Sequence, residues 1–363
     1  MAESSGPRRK LDPFTLARPL LQLLDPERAH EVTLRALEAN LVPAQPLVDE
    51  PSIAIDLFGR RLDNPVGLAA GFDKNGRVFR RMYAQGFGFV EIGGVTPRPQ
   101  RGNPRPRVWR IPEDAAVVNN MGFPNDGAEA VVRRLGGERA PGMLGVNLAS
   151  NGESADPAED FAGLVQRFSA YADYLTLDVS CPNSINGRVF LDPARLRDLM
   201  ARLAAVDRGP LPPKLVAKLS PDIDDALLAQ LVAILMEAKI DGIIIANTTV
   251  ERPNTLRGDA SMRGGLSGRP LFAPSTAMLA QVAHLTGGAV PLIGVGGIAN
   301  GPQAYAKIRA GASAVQLYTG LIYAGTALVT RIKRELAVLL MRDGYGTLSE
   351  AVGTANPARK VSS

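Results

Sequence analysis

From residue 51 onward, short and almost wholly apolar runs alternate with longer stretches whose apolar residues recur every three or four positions. Unbroken apolar runs of four or five residues mark strands buried on both faces, and the longer period marks helices that pack by one face. The pattern predicts strands over 66–69, 89–92, 144–147, 174–178, 215–218, 242–246, 292–295 and 314–318. Helices are predicted after each, over 78–85, 128–135, 158–172, 194–205, 226–239, 274–285, 302–309 and 326–341. Eight such units in a chain of this size predict an α/β protein built as a closed (β/α)8 TIM barrel rather than an open doubly wound sheet. The non-helical stretch 96–122 is too long for an ordinary connection, and such stretches are usually lids or binding loops.

The start of the chain follows another pattern. Phe14, Leu16, Leu20, Leu21, Leu23 and Leu24 cluster around Pro19. Asp25-Pro26-Glu27 then reads as a helix start, with Asp25 as N-cap and Pro26 in the first turn. Ala29, Val32, Thr33, Ala36, Leu37 and Leu41 recur behind it at helical spacing. Residues 11–45 therefore form a small two-helix extension ahead of a barrel spanning 51–343. Such helices either pack on the barrel or lie on a membrane surface, apolar face down, and pattern alone favours the first. Residues 1–10 and the tail 346–363 are small, polar and aperiodic, and are expected to be disordered and flexible.

Composition narrows the function classes. With 363 residues and 45% hydrophobic content, the chain can bury a large core. Its net charge of +5 is spread along the sequence, and aromatics make up only 5%, which disfavours a nucleic-acid surface. No run approaches the roughly 20 apolar residues of a membrane span. Arg8, Arg9 and Lys10 are not followed by the apolar stretch of a secretory signal. The single cysteine points to a reducing compartment. The two histidines, His30 and His284, fall on predicted helices, so neither a metal centre nor a Ser-His-Asp set is expected.

Polar or small residues end nearly every predicted strand, and a barrel gathers those ends on one face. Ala70-Gly71-Phe72-Asp73-Lys74 follows the first strand, Gly94 the second and Asn147 the third. Asp178 and Cys181 end the fourth, Lys218 the fifth, and Asn247-Thr248 the sixth. The glycines of Gly294-Val295-Gly296-Gly297, ahead of a helix start at Asn300, and of Tyr318-Thr319-Gly320 let backbone N–H groups approach an anion, a common phosphate site of this fold. Cys181 in Asp178-Val179-Ser180-Cys181-Pro182-Asn183 is, on this segment alone, either packing or a reactive group.

These residues resemble the dihydroorotate dehydrogenase family, and within it the membrane-associated class that uses quinone. The resemblance runs from about Leu24 to Ala327. It rests on residues 24–30, 67–76, 95–107, Asn119 with Met121-Gly122-Phe123, Ser180 to Asn183, Asn247-Thr248-Thr249, 264–270 and 294–298. It implies oxidation of dihydroorotate to orotate in pyrimidine biosynthesis, with FMN as cofactor and a membrane quinone as acceptor. The FMN phosphate is implied at Gly268, Gly296, Gly297, Tyr318 and Thr319. The rest of the cofactor is implied at Ala70, Gly71, Phe72, Asp73, Lys74, Gly94, Asn147, Asp178, Lys218 and Ala246. Dihydroorotate is implied at Lys74, Asn119, Asn120, Met121, Gly122, Phe123, Asp178, Asn183, Asn247 and Thr248, with Cys181 as the base. The quinone is implied near His30, Arg110 and Tyr318. This moves the two helices toward the membrane reading, as a peripheral monomer on the cytoplasmic side of the inner membrane.

Three positions depart from that class. Cys181 stands where it has Ser, Asp178 where an Asn is expected, and Asn120 where an Arg is usual. The loop Ser184-Ile185-Asn186-Gly187-Arg188 replaces its Thr-Pro-Gly-Leu-Arg. All cluster at the substrate side. They keep open two other readings: an FMN oxidoreductase for a different cyclic amide or enone, and a flavin-binding protein without catalysis.

Overall fold

The computed structural model describes residues 13–136, 139–184 and 186–356. Its centre is a closed barrel of eight parallel strands, Val66–Leu68, Phe89–Val95, Met143–Leu148, Tyr174–Asp178, Lys214–Leu219, Gly242–Ile245, Leu292–Val295 and Ala314–Leu317. Each pairs with its neighbour in sequence, and the last closes on the first through Val315 and Val66. All eight are the strands expected from the apolar runs, and all eight crossover helices are present.

Local chemistry sets the helix starts. Asp156-Pro157, Asp192-Pro193 and Asp25-Pro26 each place a carboxylate that accepts backbone N–H bonds of the first turn beside a proline that needs none. Inside the barrel, large and small residues interlock. A Cβ on Gly145 would lie 2.1 Å from the Tyr174 ring, and one on Gly67 would lie 2.3 Å from the Phe89 ring. Only glycine at these two positions lets the aromatic rings cross the barrel.

Three elements differ from expectation. The stretch 96–122 is not one loop: Val108–Ile111 and Ala116–Asn119 pair antiparallel, and Gly265–Gly268 adds a third strand. Ile111, Ala116, Val118, Ala260 and Leu266 give this small sheet its own core. A hairpin, Ile55–Leu57 with Arg60–Leu62, precedes the barrel, and its turn residue Phe58 reaches the Tyr174 ring at 5.5 Å. The tail is ordered as far as Asn356. Leu348 and Ala351 of the helix Leu348–Ala351 are fully buried, and Gly353 and Ala355 donate to Ile308 and Arg309 carbonyls. Residues 1–10 and 357–363 lie outside the described residues.

Helices α1 (Pro13–Leu23) and α2 (Pro26–Glu38) sit over the barrel mouth. Only part of the expected apolar face of α2 is buried, namely Ala29 and Leu37 with Leu34, while Val32 is 46% exposed. Leu16, Leu20 and Leu23 of α1 are 67%, 69% and 84% exposed, so these helices pack on the barrel and still present apolar surface to solvent. Charge holds α2 in place. Arg77 pairs with Glu31 at 2.8 Å and Glu38 at 2.6 Å, and Arg107 pairs with Glu27 at 2.9 Å.

Candidate active site

One cavity of about 2250 Å³ runs from beneath α1 and α2 to the C-terminal ends of the barrel strands. A single drug-sized ligand needs about 300–1,000 Å³, so this space suits two ring systems and a channel. Every residue assigned from the sequence lines it except Asn120, whose carbonyl and side-chain oxygen accept from the Asn103 amide at 3.1 and 2.9 Å. Asp73 lines the wall, but its carboxylate is engaged by the N–H groups of Arg77 and Val78 at 2.8 and 2.7 Å. It fastens the turn that leads into the helix Phe79–Ala84.

At the strand ends the amides form a connected wall. The Asn183 amide donates to Asn119 at 3.0 Å, Asn119 donates to the Gly265 carbonyl at 3.3 Å, and Asn103 donates to the Asn183 carbonyl at 3.1 Å. Asn247 donates to the Asp178 carboxylate at 2.9 Å. The side-chain oxygens of Asn147, Asn183 and Thr248 are buried with no partner among the described residues. Such orphans are costly unless a ligand meets them. Together with the cavity's size, they fit a flavin and a polar ring.

Electrostatics divide the site. Burial pushes the Asp178 carboxyl up to about 6, against the pull of Lys218, its partner in strand register. Cys181 lies beside it, 6% exposed, and burial and then the Asp178 charge push its thiol well above the ordinary range. Beyond Asn183 the chain comes back against Cys181 at Gly187. A Cβ on Gly187 would lie 2.0 Å from the Cys181 carbonyl, and Asn186 donates to the carbonyls of Asn151, Gly152 and Ser154. Lys74 donates to the Gly71 carbonyl at 2.6 Å, and burial lowers its ammonium to about 8.

Under the helices the cavity becomes aromatic. His30 meets Phe72 edge-on at 5.3 Å and lies 6.3 Å from the Tyr318 ring. Burial, and then the Lys74 charge, lower its imidazole to about 3, so it is neutral at pH 7. Arg110 donates to the carbonyls of Leu21, Gln22 and Leu24, tying α1 to the strand Val108–Ile111.

On the opposite side lies the glycine loop. Gly296 and Gly297 have φ of 102° and 73°, in the region that favours glycine. The N–H groups of Gly297 and Ile298 have no acceptor among the described residues. The following helix end does not face an anion as expected. Its N–H groups are taken by the Asn300 side chain and by the Glu335 carboxylate at Gly301.

Sequence reasoning missed Glu91, Gln316 and Asn103. Glu91 accepts from Tyr174, Gln316 and Asn147 at 3.0, 2.9 and 3.3 Å, which holds Asn147 at the cavity wall. An acid in the middle of an otherwise apolar strand was its signal.

The model of the family described as dihydroorotate dehydrogenase matches residues 52–340. The chain is 48% identical to the dihydroorotate dehydrogenase (quinone) of Parvibaculum lavamentivorans, over 94% of this chain and 99% of the relative. It is 41% identical to the mitochondrial dihydroorotate dehydrogenase (quinone) of Arabidopsis thaliana, over 93% of this chain and 80% of that protein. The crystal structure of Eimeria tenella DHODH in complex with ferulenol superposes with a TM-score of 0.87 at 35% identity, covering 92% of this chain and 96% of that one. The barrel, the polar mouth and the helical cap are thus those of a known lineage, and the chain belongs to the quinone-using class of the dihydroorotate dehydrogenase family.

Proposed function

We propose that this protein oxidises dihydroorotate to orotate at the strand-end wall and passes the electrons to a membrane quinone, with FMN as its flavin. The observation that carries the reading is the meeting of Cys181, the Asp178–Asn247 pair and the orphaned amides at one end of a cavity whose other end opens under α1 and α2. The flavin supplies a two-electron acceptor. Lys218, Asn147, Gly94 and Ala246 would hold its rings, and Gly268, Gly296, Gly297 and Thr319 its single phosphate. Lys74, Asn119, Asn183, Asn247 and Thr248 orient the substrate ring. Cys181, as the thiolate, would take the proton from C5 while the hydride leaves C6 for the flavin, so one C–H bond is lost at each carbon and the C5–C6 double bond forms.

The quinone is proposed to enter between α1 and α2, past His30, Arg110 and Tyr318. Among the described residues no helix is long and apolar enough to cross a membrane. The exposed Leu16, Leu20, Leu23 and Val32 support a peripheral membrane contact.

The test is anaerobic. Dihydroorotate added to the yellow protein bleaches the oxidised-flavin absorbance, and a quinone restores it. A bound flavin that stays oxidised sinks the substrate reading and leaves the fold and cofactor standing. Asp178 and the Ser184–Arg188 loop then become the determinants of a different cyclic substrate.

A further inference from the structure

Lys307 lies on the helix Gly301–Ala310 and is completely buried. Its stem passes the barrel wall, where its Cδ is 3.1 Å from the Cβ position of Gly294. Its ammonium donates to the hydroxyls of Ser275 at 2.8 Å and Thr276 at 3.1 Å. Both hydroxyls in turn donate to carbonyls of their own helix, Leu271 and Phe272, each at 2.6 Å. No carboxylate pairs with it among the described residues, and burial alone lowers it to about 7. A buried ammonium without a counter-charge is costly, and lysine is rarely buried unless paired.

What lies next to it is the glycine loop. The Ser275 hydroxyl that accepts from Lys307 is 3.4 Å from the Gly296 carbonyl and 2.8 Å from the Cβ position of Gly296. Lys307 also faces the Phe272 ring at 5.4 Å, and the backbone of Phe272 lies 2.6 Å from the Cβ position of Gly297. The ammonium therefore sits one side chain behind the loop whose Gly297 and Ile298 N–H groups have no acceptor among the described residues. The nearby helix end is already capped by Asn300 and by the acid Glu335, which opposes an anion there.

We infer that Lys307 is a positioning residue for the cofactor, a buried cation whose missing counter-charge is the flavin phosphate bound on the opposite side of the Gly296–Gly297 loop. It does not touch the phosphate. It sets the potential of the loop and selects a phosphorylated flavin over an unphosphorylated one. This rests on the FMN reading, but concerns a residue that the reaction itself does not use.

The test separates charge from packing by using two flavins. Purified holoprotein is equilibrated with excess FMN and riboflavin, and the flavin that stays with the protein after gel filtration is quantified. Native protein retains FMN in strong preference. In Lys307→Met, of similar length and apolar, the preference for FMN over riboflavin falls about tenfold or more. Lys307→Gln, read in the same way, serves if the Met variant does not fold. Lys307→Arg keeps the charge and restores part of the preference. A variant that loses both flavins in equal proportion makes Lys307 a packing residue and overturns the proposal, as does an unchanged preference. Native protein that binds neither flavin overturns the cofactor reading and this inference with it.

Discussion

The side-chain amide of Asn247 donates to the carboxylate of Asp178 across 2.9 Å, at the end of the barrel where the substrate ring is proposed to lie. Dihydroorotate carries its own carboxylate, so the ionisation of Asp178 decides whether the pocket attracts or repels it. Burial pushes Asp178 up to about 6. The KM for dihydroorotate is therefore expected to rise as pH rises through about 6. Asp178→Asn, neutral throughout, is expected to flatten that profile and to lower the KM at pH 8 several-fold. Steady-state rates between pH 5 and 8 check this, and a variant that keeps the native rise sinks the electrostatic account.

The same shift has a stability consequence of definite sign. A carboxyl whose folded pKa lies above its unfolded value stabilises the fold fully below the unfolded pKa of about 4, and that contribution is lost as pH rises through about 6. Asp178→Asn is therefore expected to raise the melting temperature relative to the native protein at pH 8, and to show a smaller gain or a loss at pH 4. Paired thermal melts at the two pH values measure the difference.

Cys181 is proposed as the base, yet burial and then the Asp178 charge hold its thiol in the protonated form. Cys181→Ala is expected to retain flavin and to slow flavin reduction by about 10²–10⁴-fold, the usual worth of a positioned base. In the substrate-free protein, Asp178→Asn is expected to speed iodoacetamide alkylation of Cys181 at pH 8, because one of the two upward influences is gone. Alanine at 181 with native reduction rates places the base elsewhere.

Arg77 reaches from the barrel to two carboxylates of α2, Glu31 and Glu38. The pairs are partly exposed, and such contacts are worth about 1 kcal/mol or less each, less still in salt. Arg77→Ala is expected to leave dihydroorotate-dependent flavin reduction near native and to slow quinone-dependent reoxidation, because the helical cap docks less firmly. Faster tryptic cleavage within residues 13–45 is the accompanying structural readout. Equal losses in both half-reactions contradict this division of labour.

The barrel was legible because its signal is local. Strands such as Phe89–Val95 and Met143–Leu148 are buried at every position and read as nearly continuous apolar runs, interrupted only by Glu91 and Asn147. The three-stranded sheet over the mouth was not legible, because Ala116–Asn119 finds its partner Gly265–Gly268 almost 150 residues later and each is only four residues long. The site was legible through its strand-end residues, whose backbone positions follow from topology. Side-chain direction was not: Asn120 turns to Asn103 and Asp73 holds the turn before a helix, because each meets a hydrogen-bond partner that no local pattern announces. The glycine pair was readable, but the prior capping of the next helix by Glu335, from a helix about 35 residues on, was not.

The tail shows the same limit and yields a direct test. Leu348 is followed by polar and small residues, so its segment has too few apolar positions for a period to emerge. In the fold it is fully buried, and the turn after it is fastened by Gly353 to Ile308 and by the Asn356 amide to the Ala280 carbonyl at 2.9 Å. These contacts bridge the helices Gly301–Ala310 and Phe272–Thr286, the pair that encloses Lys307. Leu348→Ala is expected to cost about 2–5 kcal/mol, the range for a leucine truncated in a packed interior. A lowered denaturation midpoint with unchanged flavin reduction at 25 °C is the expected outcome. A variant as stable as the native protein means that the segment does not pack as described.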